Sequence, residues 1–295
     1  MVKYKPSYPA VEHLIMHELV HLDFVIEARK GNLNQLFISN QHHKTAFKKG
    51  LEPTIKKFNK MGISEKSIAD YCSNLFEGMN SQIYNTPIDL FIENFLYSEF
   101  TELRPFQFIS LYNMLQEGLK AVTDKKIVEH SPKDIISKSK VYNIVNAIQF
   151  KELFGFDFIK DFNATPAEMK LATDFYDEYL QYKDDKEPAE EYELVLHWAE
   201  DLKLDKNFEL VNEHEYRTKR LDIDPYKQRE MDKFQKSQEQ VGSNMAVTMF
   251  MVNQKRKLKR LPMKLQCKEP RDIGLTKKII ALTPLKAKLF PATIF

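Results

Sequence analysis

Pro9-Ala10-Val11-Glu12-His13-Leu14-Ile15-Met16-His17-Glu18-Leu19-Val20-His21-Leu22 is the stretch on which the reading of this chain turns. Apolar residues recur at helical spacing through Val11, Leu14, Ile15, Leu19, Leu22, Val25 and Ile26, and Gly31-Asn32 ends the run. The spacing predicts one helix with His17-Glu18-Leu19-Val20-His21 at its middle. On such a helix, positions i and i+4 share a face about 6 Å apart along the axis, so His17 and His21 can both reach one metal ion. Glu18 stands one step round from His17, where a carboxylate can take a proton from a metal-activated water. The alternative is two surface histidines at helical spacing by accident, but Ile15, Met16, Leu19, Val20 and Leu22 make this an apolar helix. Asp23 departs from that apolar context and is read as facing polar groups.

A third ligand has to come from elsewhere. His13 extends the row to i, i+4, i+8, yet Leu14 rather than a glutamate follows it, so His13 is read as a polar neighbour. Glu27 points to a different face of an unbroken helix. The better candidate is Glu93 in Asn85-Thr86-Pro87-Ile88-Asp89-Leu90-Phe91-Ile92-Glu93, where Thr86 is expected as N-cap and Pro87 as the first helical residue. Asp89 shares that face and is open as a ligand or as a hydrogen-bond acceptor for a ligating imidazole. Glu77 is the next candidate. Acids in a first helical turn also often just face water. Tyr97, Tyr112 and His130 could each stabilise an oxyanion, and none is assigned.

Outward from the motif, 295 residues with 43% hydrophobic, 29% charged and only eight glycines favour a mainly α chain with few or no strands. Helices are expected at about 43–61, 64–79, from Thr86, 105–122, from Ser131-Pro132 to near Gly155, from Thr165-Pro166 to Asp184, around Tyr192–Trp198, and at about 225–253. The stretch 183–190 reads as a solvated turn. Two cysteines, Cys72 and Cys267, exclude a disulfide framework and a cysteine-built zinc site. With no leader-like or membrane-spanning apolar run, the expected location is the cytoplasm. Of the 44 Lys/Arg and 42 Asp/Glu, 12 basic and two acidic residues fall in 255–295, which leaves 1–254 at a net −8. That tail, with four prolines and no usable periodicity, is expected to pack poorly and reads as the product of a frameshift. A basic arm on nucleic acid or a membrane surface is the competing reading, and nucleic acid is not expected as a partner.

HELVH with a downstream helical glutamate resembles the gluzincin branch of zinc metallopeptidases. EHLIMHELVHLDFVIEARK and TPIDLFIENFLY also resemble an uncharacterised bacterial group. The resemblance spans about residues 9–100. It implies Zn²⁺ on His17, His21 and Glu93, Glu18 as general base, and a peptide or protein substrate. Gluzincins often carry an acid four residues after the third ligand, whereas Tyr97 stands there. The expectation is a zincin-like core over 1–160, with an N-terminal truncation suggested by the few residues ahead of the motif helix, and a helical extension over 161–254. A zinc-binding helical scaffold without catalysis is the alternative function.

Overall fold

The computed structural model describes residues 8–221, and the expected 225–253 helix and 255–295 tail lie outside them. The chain divides into two compact units, one built on Lys5–His214 and the other containing Glu215–Leu289, of which only Glu215–Leu221 is described. Position 160, where a core was expected to give way to an extension, falls inside the first unit.

That unit is mainly helical, as composition implies. The motif helix α1 spans Val11–Lys30. Its buried positions are Ala10, His13, Val20 and Ala28, so the histidine side of the helix is the one that faces inward. Beyond α1, β1 (Gln35–Ile38) is followed by α2 (Gln41–Gly50) and α3 (Glu52–Lys60). These two replace the single helix expected at 43–61: the chain breaks at the buried Leu51, and Pro53 opens α3 in its first turn, where a missing N–H is harmless.

The next element overturns a second expectation. One helix, α4, runs unbroken from Glu65 to Glu99 with Pro87 inside it, so Thr86 is not an N-cap. Pro87 removes a helical hydrogen bond, at a cost of about 3 kcal/mol in an ordinary helix interior. Burial on both sides of the proline outweighs this, because Ile83, Leu90, Ile92 and Leu96 are fully enclosed and Ile88 and Phe91 nearly so. The preceding residues are already helical, which leaves Thr86 no helix start to cap.

Around α4 pack α1, α2, α3, α5 (Arg104–Thr123), α7 (Lys133–Phe154) and α9 (Glu191–Asp201). The short α6 (Lys125–His130), capped by Asp124, had no expected counterpart. Helix α7 ends at Gly155 in the left-handed region (φ 80°), and α8 (Pro166–Tyr182) opens on the capping box Thr165/Glu168. The stretch 183–190 forms turns with Asp184, Asp185, Glu187 and Pro188 exposed, as expected, while Lys186 is drawn inward. Lys186 is 14% exposed, lies 4.3 Å from the Phe24 ring centroid and binds Glu191 at 2.8 Å.

One small antiparallel sheet pairs β1 with β2 (Glu209–Asn212), Gln35 opposite Asn212 and Ile38 opposite Glu209. Glu213, at the start of α10 (Glu213–Leu221), then takes a two-pronged grip from Arg29 at 2.6 and 2.8 Å. The end of α1 is therefore anchored to a residue 184 positions away. No described helix is long and apolar enough to cross a membrane.

Candidate metal centre

On α1, His13, His17 and His21 form a row at four-residue spacing, and on α4, Asp89 and Glu93 form a second such row. The two rows meet. His13 Nε2 lies 2.9 and 3.1 Å from the Glu93 carboxylate oxygens, His17 Nδ1 lies 2.7 Å from Glu93 Oε1, and His21 Nε2 lies 3.0 Å from Asp89 Oδ1. His17 Nε2 completes the ladder at 3.4 Å from Asp89 Oδ1. The earlier histidine pairs with the later acid, so α1 and α4 run antiparallel past each other.

Two sets of ligand atoms among the described residues each lie within 4.8 Å of one another, His13/His17/Glu93 and His17/His21/Asp89. The expected trio of His17, His21 and Glu93 is not among them. Glu93 reaches His17 but takes His13 as its other imidazole; Asp89 is the carboxylate that meets His21. Glu77 is not part of the centre. It lies 12 residues before Asp89, about 18 Å along the helix, and holds Lys44 and Ser73 at the surface.

The two sets differ in surroundings. His13 and Glu93 are 1% and 2% exposed, whereas His21 and Asp89 are 23% and 17% exposed, with His17 between them at 15%. Glu93 is further held by Gln107 of α5, whose Nε2 donates to Glu93 Oε2 at 2.6 Å and to the Glu93 carbonyl at 2.9 Å. Burial by itself would raise the pKa of Glu93, but the imidazoles of His13 and His17 outweigh it and hold the carboxyl far below its ordinary range. Burial likewise opposes ionisation of Asp89, and His17 and His21 more than compensate, so its pKa is lowered. His17 mirrors them: burial disfavours its cation, yet the charge and hydrogen bonds of Asp89 and Glu93 raise its pKa well above 6.5.

An ionised carboxylate only accepts hydrogen bonds, so the nitrogens facing Glu93 must carry protons. His17 is thereby fixed with Nδ1–H toward Glu93, which directs Nε2 toward Asp89 and His21. Two imidazole nitrogens and a carboxylate oxygen suit zinc, whose tetrahedral ligand atoms at about 2.0–2.1 Å from the ion stand about 3.4 Å apart. The 3.4 Å separation of His17 Nε2 from Asp89 Oδ1 matches that spacing, and the 3.0 Å separation of His21 Nε2 from the same oxygen is at hydrogen-bond length. The Glu93 side fits less well, since its oxygens are shared by three N–H donors, those of His13, His17 and Gln107.

Glu18 is half-buried on α1. By helix geometry it lies about 100° round from His17 and about 60° beyond His21. Asp23 falls about 120° to the other side of His17, where burial and the charge of Glu27 raise its pKa. The aromatic and histidine candidates for oxyanion stabilisation stand elsewhere: Tyr97 stacks under Arg104 and against Phe154, Tyr112 packs on Phe108 and Phe158, and His130 lies over Phe58. Gln107 was not anticipated. Its only sequence signal is a polar side chain on the inward face of α5, shared with Ser110 and Leu115.

Comparison with protein-family models, curated proteins and solved structures gave no match, so the chemistry rests on these residues.

Proposed function

We propose that the centre binds zinc through His17 Nε2, His21 Nε2 and Asp89, and serves peptide-bond hydrolysis with Glu18 as general base. The observation that carries this reading is the convergence of the two HELVH imidazoles on one Asp89 oxygen, on the more exposed side of the ladder. Catalytic zinc sites need three protein ligands and an open position, which the sealed Glu93 side does not offer. Zinc held there would supply Lewis-acid chemistry to the attacking water and to the substrate carbonyl. Glu18, beside His21, takes the proton of the attacking water and passes it to the leaving amine. Glu93 contributes by accepting the Nδ1–H of His17, which holds the ring's orientation and raises its basicity as a ligand.

The test is metal content and turnover on the full chain. Purified protein should hold one equivalent of zinc, cleave members of a peptide library, and on Glu18→Gln keep the metal while losing hydrolysis. Zinc without any cleavage favours the second reading, a metal-binding helical scaffold, which the low exposure of the ligands supports. Absence of zinc binding sinks both.

A further inference from the structure

Gln107 is fully buried and spends both hydrogens of its amide on a single residue, one on the Glu93 carboxylate and one on the Glu93 backbone carbonyl. Its own Oε1 is buried and has no partner among the described residues. Both Nε2 contacts are acceptors, so the amide's orientation is settled: turned over, its oxygen would face two oxygens. Leaving one buried amide oxygen unsatisfied is costly, which makes this arrangement more than space filling.

We infer that Gln107 is the positioning residue of the metal centre, fixing Glu93 and through it the ring orientation and Nδ1–H tautomer of His17. This rests on the reading of His17, His21 and Asp89 as the zinc ligands. The chain of contacts runs Gln107, Glu93, His17 Nδ1, with every link between 2.6 and 2.7 Å. His13 closes the other side of the carboxylate at 2.9 Å. These contacts hold the Glu93 carboxylate on the His13 side and point His17 Nδ1 at it, away from Asp89. Partners of ligating histidines carry about 10–100-fold in metal affinity.

Zinc affinity by chelator competition, and the visible spectrum of the Co²⁺-loaded protein, should be measured for the wild-type chain, Gln107→Leu and Gln107→Glu. Leucine keeps an apolar filling but donates nothing; glutamate keeps the shape but sets an acceptor against Glu93. The expected order of affinity is wild type, then Leu lower by about 10–100-fold, then Glu lowest, with the Co²⁺ bands altered in both variants. A purely packing role predicts the reverse order, since glutamate is nearer in shape, and that outcome or unchanged affinity in both overturns the inference. Wild-type protein that binds neither ion overturns the metal reading and this inference together, so the two failures are distinguishable. Should the variants fail to fold, ring nitrogen NMR of the zinc-loaded wild type decides: a slowly exchanging His17 Nδ1–H is expected, and coordination through Nδ1 rules the inference out.

Discussion

The two ends of the histidine ladder use the same chemistry in different surroundings. At one end His13 and Glu93 are sealed between α1, α4 and α5, with Gln107 donating two hydrogen bonds to Glu93. At the other, His21 and Asp89 are partly exposed and meet at a single oxygen. The sealed end behaves as a buried ion pair that locks two helices in register. The open end is where the proposed zinc site lies, with His17, Asp89 and His21 15%, 17% and 23% exposed. On the proposed reading, burial and the third helix, not residue type, decide which carboxylate is structural and which holds the ion.

The strongest way to break this contrast is to delete one acid at a time. Glu93→Leu leaves His13, His17 and Gln107 N–H groups buried without their acceptor, and removing one partner of a buried pair costs about 3–5 kcal/mol. Urea unfolding in the presence of a chelator should show that loss. Asp89→Asn should cost about 1 kcal/mol in the same assay, since an amide oxygen still accepts a hydrogen bond, yet it should abolish stoichiometric zinc. Equal stability losses in the two variants, or zinc retained by Asp89→Asn, would remove the distinction between the ends.

The HELVH helix, its histidine row and the i, i+4 pair Asp89/Glu93 were all legible in the sequence, because each is a spacing within one helix. Their pairing was not. It depends on the register of α1 against α4, and on Gln107 of a helix further along the chain holding Glu93. Thr86-Pro87 misled for a related reason: it is a sound local signal for a helix start, overridden by the burial of Ile83, Leu90 and Ile92 on either side. The strands β1 and β2 are four residues each and exist only through each other across the length of the unit. The Leu51 break was partly visible in Glu52-Pro53.

Proton occupancy offers a smaller and reversible test. In the metal-free protein Asp89 and Glu93 have lowered pKa values, so their stabilisation is present above the unfolded carboxylate range, about pH 4, and is lost as pH falls through the folded values. His17 is raised, so its share is complete below about pH 6.5 and is lost as pH rises through its folded value. The cluster's contribution is therefore greatest between about pH 4 and 6.5. Zinc must displace the His17 proton, so binding should release protons and weaken as pH falls, while the alkaline loss of stability should shrink in the loaded protein. Melting temperatures across pH with and without zinc check this, and superimposable profiles would show that the ion does not engage His17.

The smallest expected effect concerns Glu77, which sequence reasoning placed next in line as a ligand. It lies on the same helix as Asp89 and Glu93, so it isolates what helix membership alone confers. Its carboxylate contacts Lys44 at 3.3 Å and Ser73 at 3.1 Å, and the residue is 58% exposed. An exposed pair of that kind contributes about 0–1 kcal/mol. Glu77→Gln should therefore leave zinc stoichiometry unchanged and shift unfolding by no more than about 0.5 kcal/mol. Because the substitution removes a charge about 18 Å from Asp89, a measurable drop in zinc affinity would mean that the ion is held through the acidic face of α4 as a whole and not by the contacts at the ladder.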